Sequence, residues 1–137
     1  MKMCKTTSFI LMLLFAITGI LFLGLPDKVM VFFNILSSSI GMPQSPVSGW
    51  NFYLILAVGY MYLVTVLAFM MFKHPENHHF PLLLTHAKLV SSILSLVLFL
   101  LQDHYLIYMA NFIIDGVIGI GVLTMYVKMR KMEWVYS

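Results

Sequence analysis

Charge is what this sequence has least of. Charged residues occupy only 9% of its 137 positions, where ordinary soluble domains carry roughly 25%. So few charges cannot cover a water-facing surface of this size, and soluble-enzyme readings fall first. Disordered tails and nucleic-acid-binding arms fall with them, because both need a strongly polar chain. The formal net charge of +3 reflects scarce acids and no basic patch. Cysteine occurs once, as Cys4, which rules out an internal disulfide and a cysteine-cluster metal site. A glycine-rich phosphate loop, a nucleophile elbow and a paired-histidine zinc helix are also missing. What abounds is hydrocarbon, with 61% hydrophobic residues and a mean hydropathy of +0.97. The chain reads as an integral membrane protein whose first partner is the lipid bilayer, with no nucleic acid among its partners.

A bilayer core of ~30 Å takes about 20 apolar residues per helix. Four stretches qualify, at about 7–25, 52–72, 81–101 and 105–127. The first is stopped by Pro26-Asp27-Lys28 and the second by Lys73-His74-Pro75. The third opens on Pro81, a favoured first helical residue, and the fourth runs into Lys128-Met129-Arg130-Lys131. The expected fold is one all-α domain over 1–137: four antiparallel transmembrane helices with a short interfacial segment in the first loop. The first run exceeds the usual apolar core of a cleaved signal peptide and is followed by no Ala-x-Ala site, so it reads as an uncleaved anchor. Cys4, ahead of that run, is a candidate for reversible acylation.

Orientation follows from the basic residues, which cytoplasmic segments retain. With four spans, both termini and the second loop share a side. Lys2, Lys5, Lys73, Lys128, Arg130 and Lys131 fall there, against Lys28 alone opposite. Both termini are therefore expected to be cytoplasmic, with the protein in the cell (inner) membrane. In the first loop, residues 29–36 are apolar but too short to span, and read as a short helix on the bundle mouth. Ser37 to Pro46 reads as irregular loop. Trp50, Tyr53 and Trp134 sit near span ends, where amphipathic aromatics collect. The second loop carries His74, Glu76, His78 and His79. Imidazoles and a carboxylate suit divalent metals, but the spacing around Pro75 reads as a solvated turn, and no metal is expected.

The informative pattern lies inside the last two spans. On the third, Thr85, Lys88, Ser92, Ser95 and Gln102 recur at steps of three, four, three and seven, with Ser91 beside them. On the fourth, His104, Tyr108, Asn111, Asp115 and Gly119 recur at four, three, four and four. Each set marks one helical face. Lipid satisfies no hydrogen bond, so the two stripes should turn towards each other. A hairpin centred near residue 103 sets Asn111 opposite Ser95 and Asp115 opposite Ser91 and Ser92. Lys88 is then offset from Asp115 by about three residues, or ~4.5 Å, within reach of a lysine stem. The expected outcome is a Lys88–Asp115 ion pair bridged by serine hydroxyls. An unpaired Asp115 at that depth would cost about 2.5–3.5 kcal/mol on insertion scales. Gly116, Gly119 and Gly121 should allow close helix approach. On the second span, Tyr53 and Tyr60 share a face and should place their hydroxyls inside the bundle.

Three functional readings emerge. The first is a non-enzymatic protein acting by association, an accessory subunit or scaffold, or a self-associating chain, whose seam of Thr85, Lys88, Ser91, Ser92, Ser95, Tyr108, Asn111 and Asp115 fixes helix pairing. The rival is a small transporter or ion-conducting protein that uses Lys88 and Asp115. A membrane haem or quinone protein is a distant third. His86 and His104 lie near opposite membrane edges and cannot share a haem, and twelve methionines are scattered as flexible apolar filler. No cofactor and no catalytic set is expected.

Overall fold

In hydrocarbon the backbone must satisfy its own amides, and each long apolar run does so by forming a helix. The computed structural model describes residues 2–47, 51–101 and 104–136. Among them lie five helices and no strand: α1 (Lys2–Gly24), α2 (Pro26–Ser39), α3 (Asn51–Lys73), α4 (His79–Leu101) and α5 (Leu106–Tyr136). Four of these, all but α2, are long and apolar enough to cross a membrane. The protein is an all-α integral membrane protein. Trp50, the Gln102-Asp103 turn and the side chain of Trp134 lie outside the described residues.

Three helices overrun the limits read from hydropathy by more than a residue, and α4 begins at His79, ahead of the Pro81 expected to open it. α1 begins at Lys2 and α5 continues to Tyr136, past the expected ends near Thr7 and Val127. Hydropathy marks where a helix leaves lipid, whereas Lys, Met, Arg and Glu are good helix formers that carry the backbone onward. Tyr105 precedes α5 and does not belong to it.

The spans form an arc in the order α1, α3, α4, α5, each packed on the next. Neighbours run antiparallel. Phe9 meets Phe72 with ring centroids 5.7 Å apart, and Gly19 lies beside Met61 further along the same pair. On α4 and α5, Lys88 meets Asp115, Ser92 meets Phe112 and Ser95 meets Asn111, so numbers rise on one helix as they fall on the other. The buried core gathers in the half that carries both termini, around Leu11, Phe15, Val64, Met71, Leu84 and Val122. Cys4 is buried in that core as well, and its carbonyl accepts a 2.8 Å bond from Ser8 Oγ.

At the opposite end α2 packs against α1 and α5. Pro26 sets its start, because it lacks an N–H and its ring clashes with the preceding turn of a continuing helix. The 14 residues of α2 extend ~21 Å at 1.5 Å per residue, too short for a ~30 Å core. The helix runs through Ser37–Ser39, a stretch expected to be loop. Ser38 Oγ and Ser39 Oγ donate to the carbonyls of Asn34 and Leu36 at 2.8 and 2.7 Å, which spends the hydroxyls within the last turn. Gly41, with φ +71°, then turns the chain back. Asn34 clamps the returning strand of loop: its amide donates to Ser45 O at 2.8 Å, and its Oδ1 accepts from Ser45 N at 2.9 Å.

Glycine makes the α4–α5 contact. A Cβ at Gly119 would lie 2.8 Å from Leu89 Cδ2 and 3.4 Å from Leu89 N. One at Gly116 would lie 3.0 Å from Ser92 Oγ. Gly121, expected to share this role, faces open space with nothing within 4 Å, because two residues beyond Gly119 on a helix is the far side. Gly119→Ala should therefore destabilise the protein by about 1–3 kcal/mol through overpacking, while Gly121→Ala leaves it unchanged. Unfolding in SDS-containing mixed micelles reads the difference. Equal midpoints for the two variants would contradict this assignment.

Candidate functional site: a buried ion pair where four spans converge

Lys88 is fixed about two and a half turns into α4 and Asp115 about as far into α5, from opposite ends of adjacent antiparallel helices. Lys88 Nζ lies 2.8 Å from Asp115 Oδ1, and the two residues are 1% and 2% exposed. The contact is direct. The serine bridge expected between them is absent, because the serine hydroxyls find partners of their own. Ser92 Oγ donates to Phe112 O at 2.8 Å, passing over Gly116, where a Cβ would crowd it. Asn111 Nδ2 donates to Ser95 Oγ at 2.6 Å and to Ser91 Oγ at 3.2 Å. A lysine stem spans a three-residue offset unaided, so no relay is needed.

The other two spans close over the ammonium. Phe15 of α1 sets its ring centroid 4.4 Å from Lys88 Nζ, and Tyr60 of α3 sets its own at 5.0 Å. Both rings offer a negative π-face to the cation. Tyr60 Oη also donates to Ala87 O at 3.0 Å, which ties α3 to α4 one residue from the lysine. One side chain thus touches every other span. Phe15 carried no signal in the sequence, being one apolar residue among many. Tyr60 was detectable as a hydroxyl needing a partner inside a span.

The remaining seam residues are placed less uniformly. Thr85 is buried on the same face of α4, and its Oγ1 has no hydrogen-bond partner among the described residues. The rings of Tyr108 and Tyr105 lie tilted against each other with centroids 5.8 Å apart, at the α2 end of the bundle. Tyr53 is exposed on α3, contrary to the expectation that its hydroxyl turns inward. The seven-residue step to Tyr60 drifts by ~20° on a straight helix, and α3 near Tyr53 lies at the open end of the bundle, where the core has thinned.

Asp115 is not fully satisfied. Its Oδ2 is buried and accepts no hydrogen bond among the described residues. Leaving a buried acceptor unmade costs about 1–3 kcal/mol, and more when it is charged. Asp115 and Lys88 both form part of the wall of a cavity of about 550 Å³ between α1, α2 and α5. Most of that wall is apolar, including Leu14, Leu21, Phe32 and Ile114.

Elsewhere, His74 Nδ1 lies 3.7 Å from Glu76 Oε1 in the exposed second loop. Among the described residues no group of three or more His, Cys, Asp and Glu is arranged to hold a metal ion. His86 is exposed on α4 with Nδ1 2.9 Å from Leu82 O, and His104 packs edge-on against Phe99 at 5.0 Å. Comparison with known protein families, curated proteins and solved structures finds no match for the chain.

Proposed function

We propose that this protein is non-enzymatic and acts by association, as an accessory subunit or scaffold of a membrane complex, with both termini cytoplasmic. The observation that carries this reading is the closure of the Lys88–Asp115 pair at 2.8 Å with almost no exposure of either partner. A conducting path needs ionisable groups that water can reach. Here the lysine bonds the aspartate, Ser92 bonds the Phe112 carbonyl and Asn111 bonds Ser91 and Ser95, each contact running between α4 and α5. That is the role of polar glue between membrane helices. The spans then offer their surroundings mainly apolar side chains, such as Ile17, Ile20, Leu94 and Val117. Gentle detergent extraction followed by cross-linking and mass spectrometry tests the reading. Stoichiometric recovery of other membrane subunits, or of further copies of this chain, is the expected result. Recovery of the chain alone after every extraction overturns it.

A second reading, transport, is favoured by the position of the same pair in the wall of the cavity. The double variant Lys88→Met/Asp115→Leu in liposomes decides it. Any flux of the parent that survives in that variant excludes a pathway through the pair.

A further inference from the structure

α1 and α5 stand at the two ends of the arc and do not pack along their lengths. The cavity of about 550 Å³ lies between them, beside α2, within the ~300–1,000 Å³ range of small-molecule sites. Its wall follows α1 and the residue after it from Leu14 to Leu25, and α5 from Ile118 back to Ile107. Each stretch rises ~16 Å at 1.5 Å per residue, about the depth of one leaflet of a ~30 Å hydrocarbon core. The deep end stops at Phe15, Ile118 and the Lys88–Asp115 pair, whose members are bonded to each other and almost wholly buried. The shallow end reaches Lys28, in the first turn of α2. Lys28 is exposed and forms no ion pair among the described residues. Its neighbour Asp27 takes no part in the wall.

The shape and polarity of this space select an occupant. A partner's transmembrane helix needs a groove through the whole core, whereas this one ends halfway. Water needs two to four polar partners, and most of the wall is hydrocarbon. The donors of Thr18 and Asn111 are already given to Leu14 O, Ser95 and Ser91. An acyl chain enters a leaflet from its surface, has that leaflet's length and needs no polar partner along its course. Its headgroup then stands at the level of Lys28, whose flexible stem carries the ammonium out to the interface. An ammonium with no counter-charge favours an anionic head over a zwitterionic one, which brings its own cation.

We infer that this cavity holds one acyl chain of an anionic phospholipid from the leaflet on the α2 side, with the headgroup paired to Lys28. The assignment does not depend on the association reading. The test uses the full chain in phosphatidylcholine nanodiscs, doped with phosphatidylglycerol whose acyl chain ends in a photoreactive diazirine. A phosphatidylcholine with the same chain is the comparison probe. The phosphatidylglycerol probe should label Ile114 and Ile118 saturably, and unlabelled phosphatidylglycerol should compete that labelling away. Its saturable labelling should exceed that of the phosphatidylcholine probe about fivefold, the ratio expected of one lysine at an anionic headgroup. Lys28→Gln, a change at an exposed position, should bring the two probes level. Ala110→Trp from α5, or Leu21→Trp from α1, should fill the cavity and abolish the saturable labelling by both. Equal labelling by the two probes in the parent would reduce the cavity to an unselective acyl-chain groove and overturn the inference. So would a preference that survives Lys28→Gln, saturable labelling that survives both tryptophans, or cross-links between two copies at these residues.

Discussion

Replacing Lys88 alone by Met should destabilise the protein by about 3–5 kcal/mol, the loss expected when one member of a buried ion pair is removed and the other stays. Asp115 would then keep a buried carboxylate with neither oxygen paired, since Oδ1 has only Lys88 as its partner and Oδ2 has none among the described residues. Replacing both, as Lys88→Met/Asp115→Leu, should recover most of that loss, to within about 1–2 kcal/mol of the parent, because an apolar pair of similar volume carries no desolvation penalty. The measurement is unfolding in mixed micelles, with helix content as the signal. The single variant must be clearly worse than the double. A double variant as damaged as the single would mean that the pair contributes by geometry alone, with no coupling between the charges.

The second large effect is expected at Phe15, a residue 1% exposed and among the largest side chains fully buried in the bundle. Phe15→Ala should cost about 3 kcal/mol, the lower end of the range for buried phenylalanine. The lower end applies because lipid is as apolar as the core, so lost packing dominates over transfer from water. Phe15→Leu keeps most of the apolar volume and removes the π-face 4.4 Å from Lys88 Nζ. Its loss should be about 1–2 kcal/mol, in keeping with the strength of desolvated cation–π contacts. Combining Phe15→Leu with Lys88→Met/Asp115→Leu isolates the ring–cation part: once the cation is gone, the leucine substitution should cost much less. An unchanged cost would assign Phe15 to packing only.

These two residues show where reading the chain succeeds and where it stops. Lys88 and Asp115 stand out because charge in an apolar run is costly, and the three-and-four spacing of their neighbours puts each on a definable face. A short connection between the last two spans then fixes how far apart they lie in register. Phe15 has no such signature: every helix face in lipid is apolar, so hydropathy does not separate the side turned towards protein from the side turned towards acyl chains. Gly119 and Gly121 look equivalent on the page and differ in space by a rotation about the axis, which decides that only Gly119 lies against Leu89. The serine hydroxyls were visible as a stripe, yet their partners were settled by atoms on the facing helix.

Composition and hydropathy by themselves determined that this chain is helical and crosses a membrane, and roughly where each crossing lies, because hydrocarbon forces backbone amides to bond within their own segment. The same spacing rules fixed which residues of α4 and α5 share a face. Only the tertiary structure decided that the spans form an arc closed at the terminal half and parted at the other, with α2 beside the gap. It also decided that Lys88 reaches Phe15, Tyr60 and Asp115 together. Those outcomes depend on contacts between residues distant in the chain, where packing shape rather than polarity selects the neighbour.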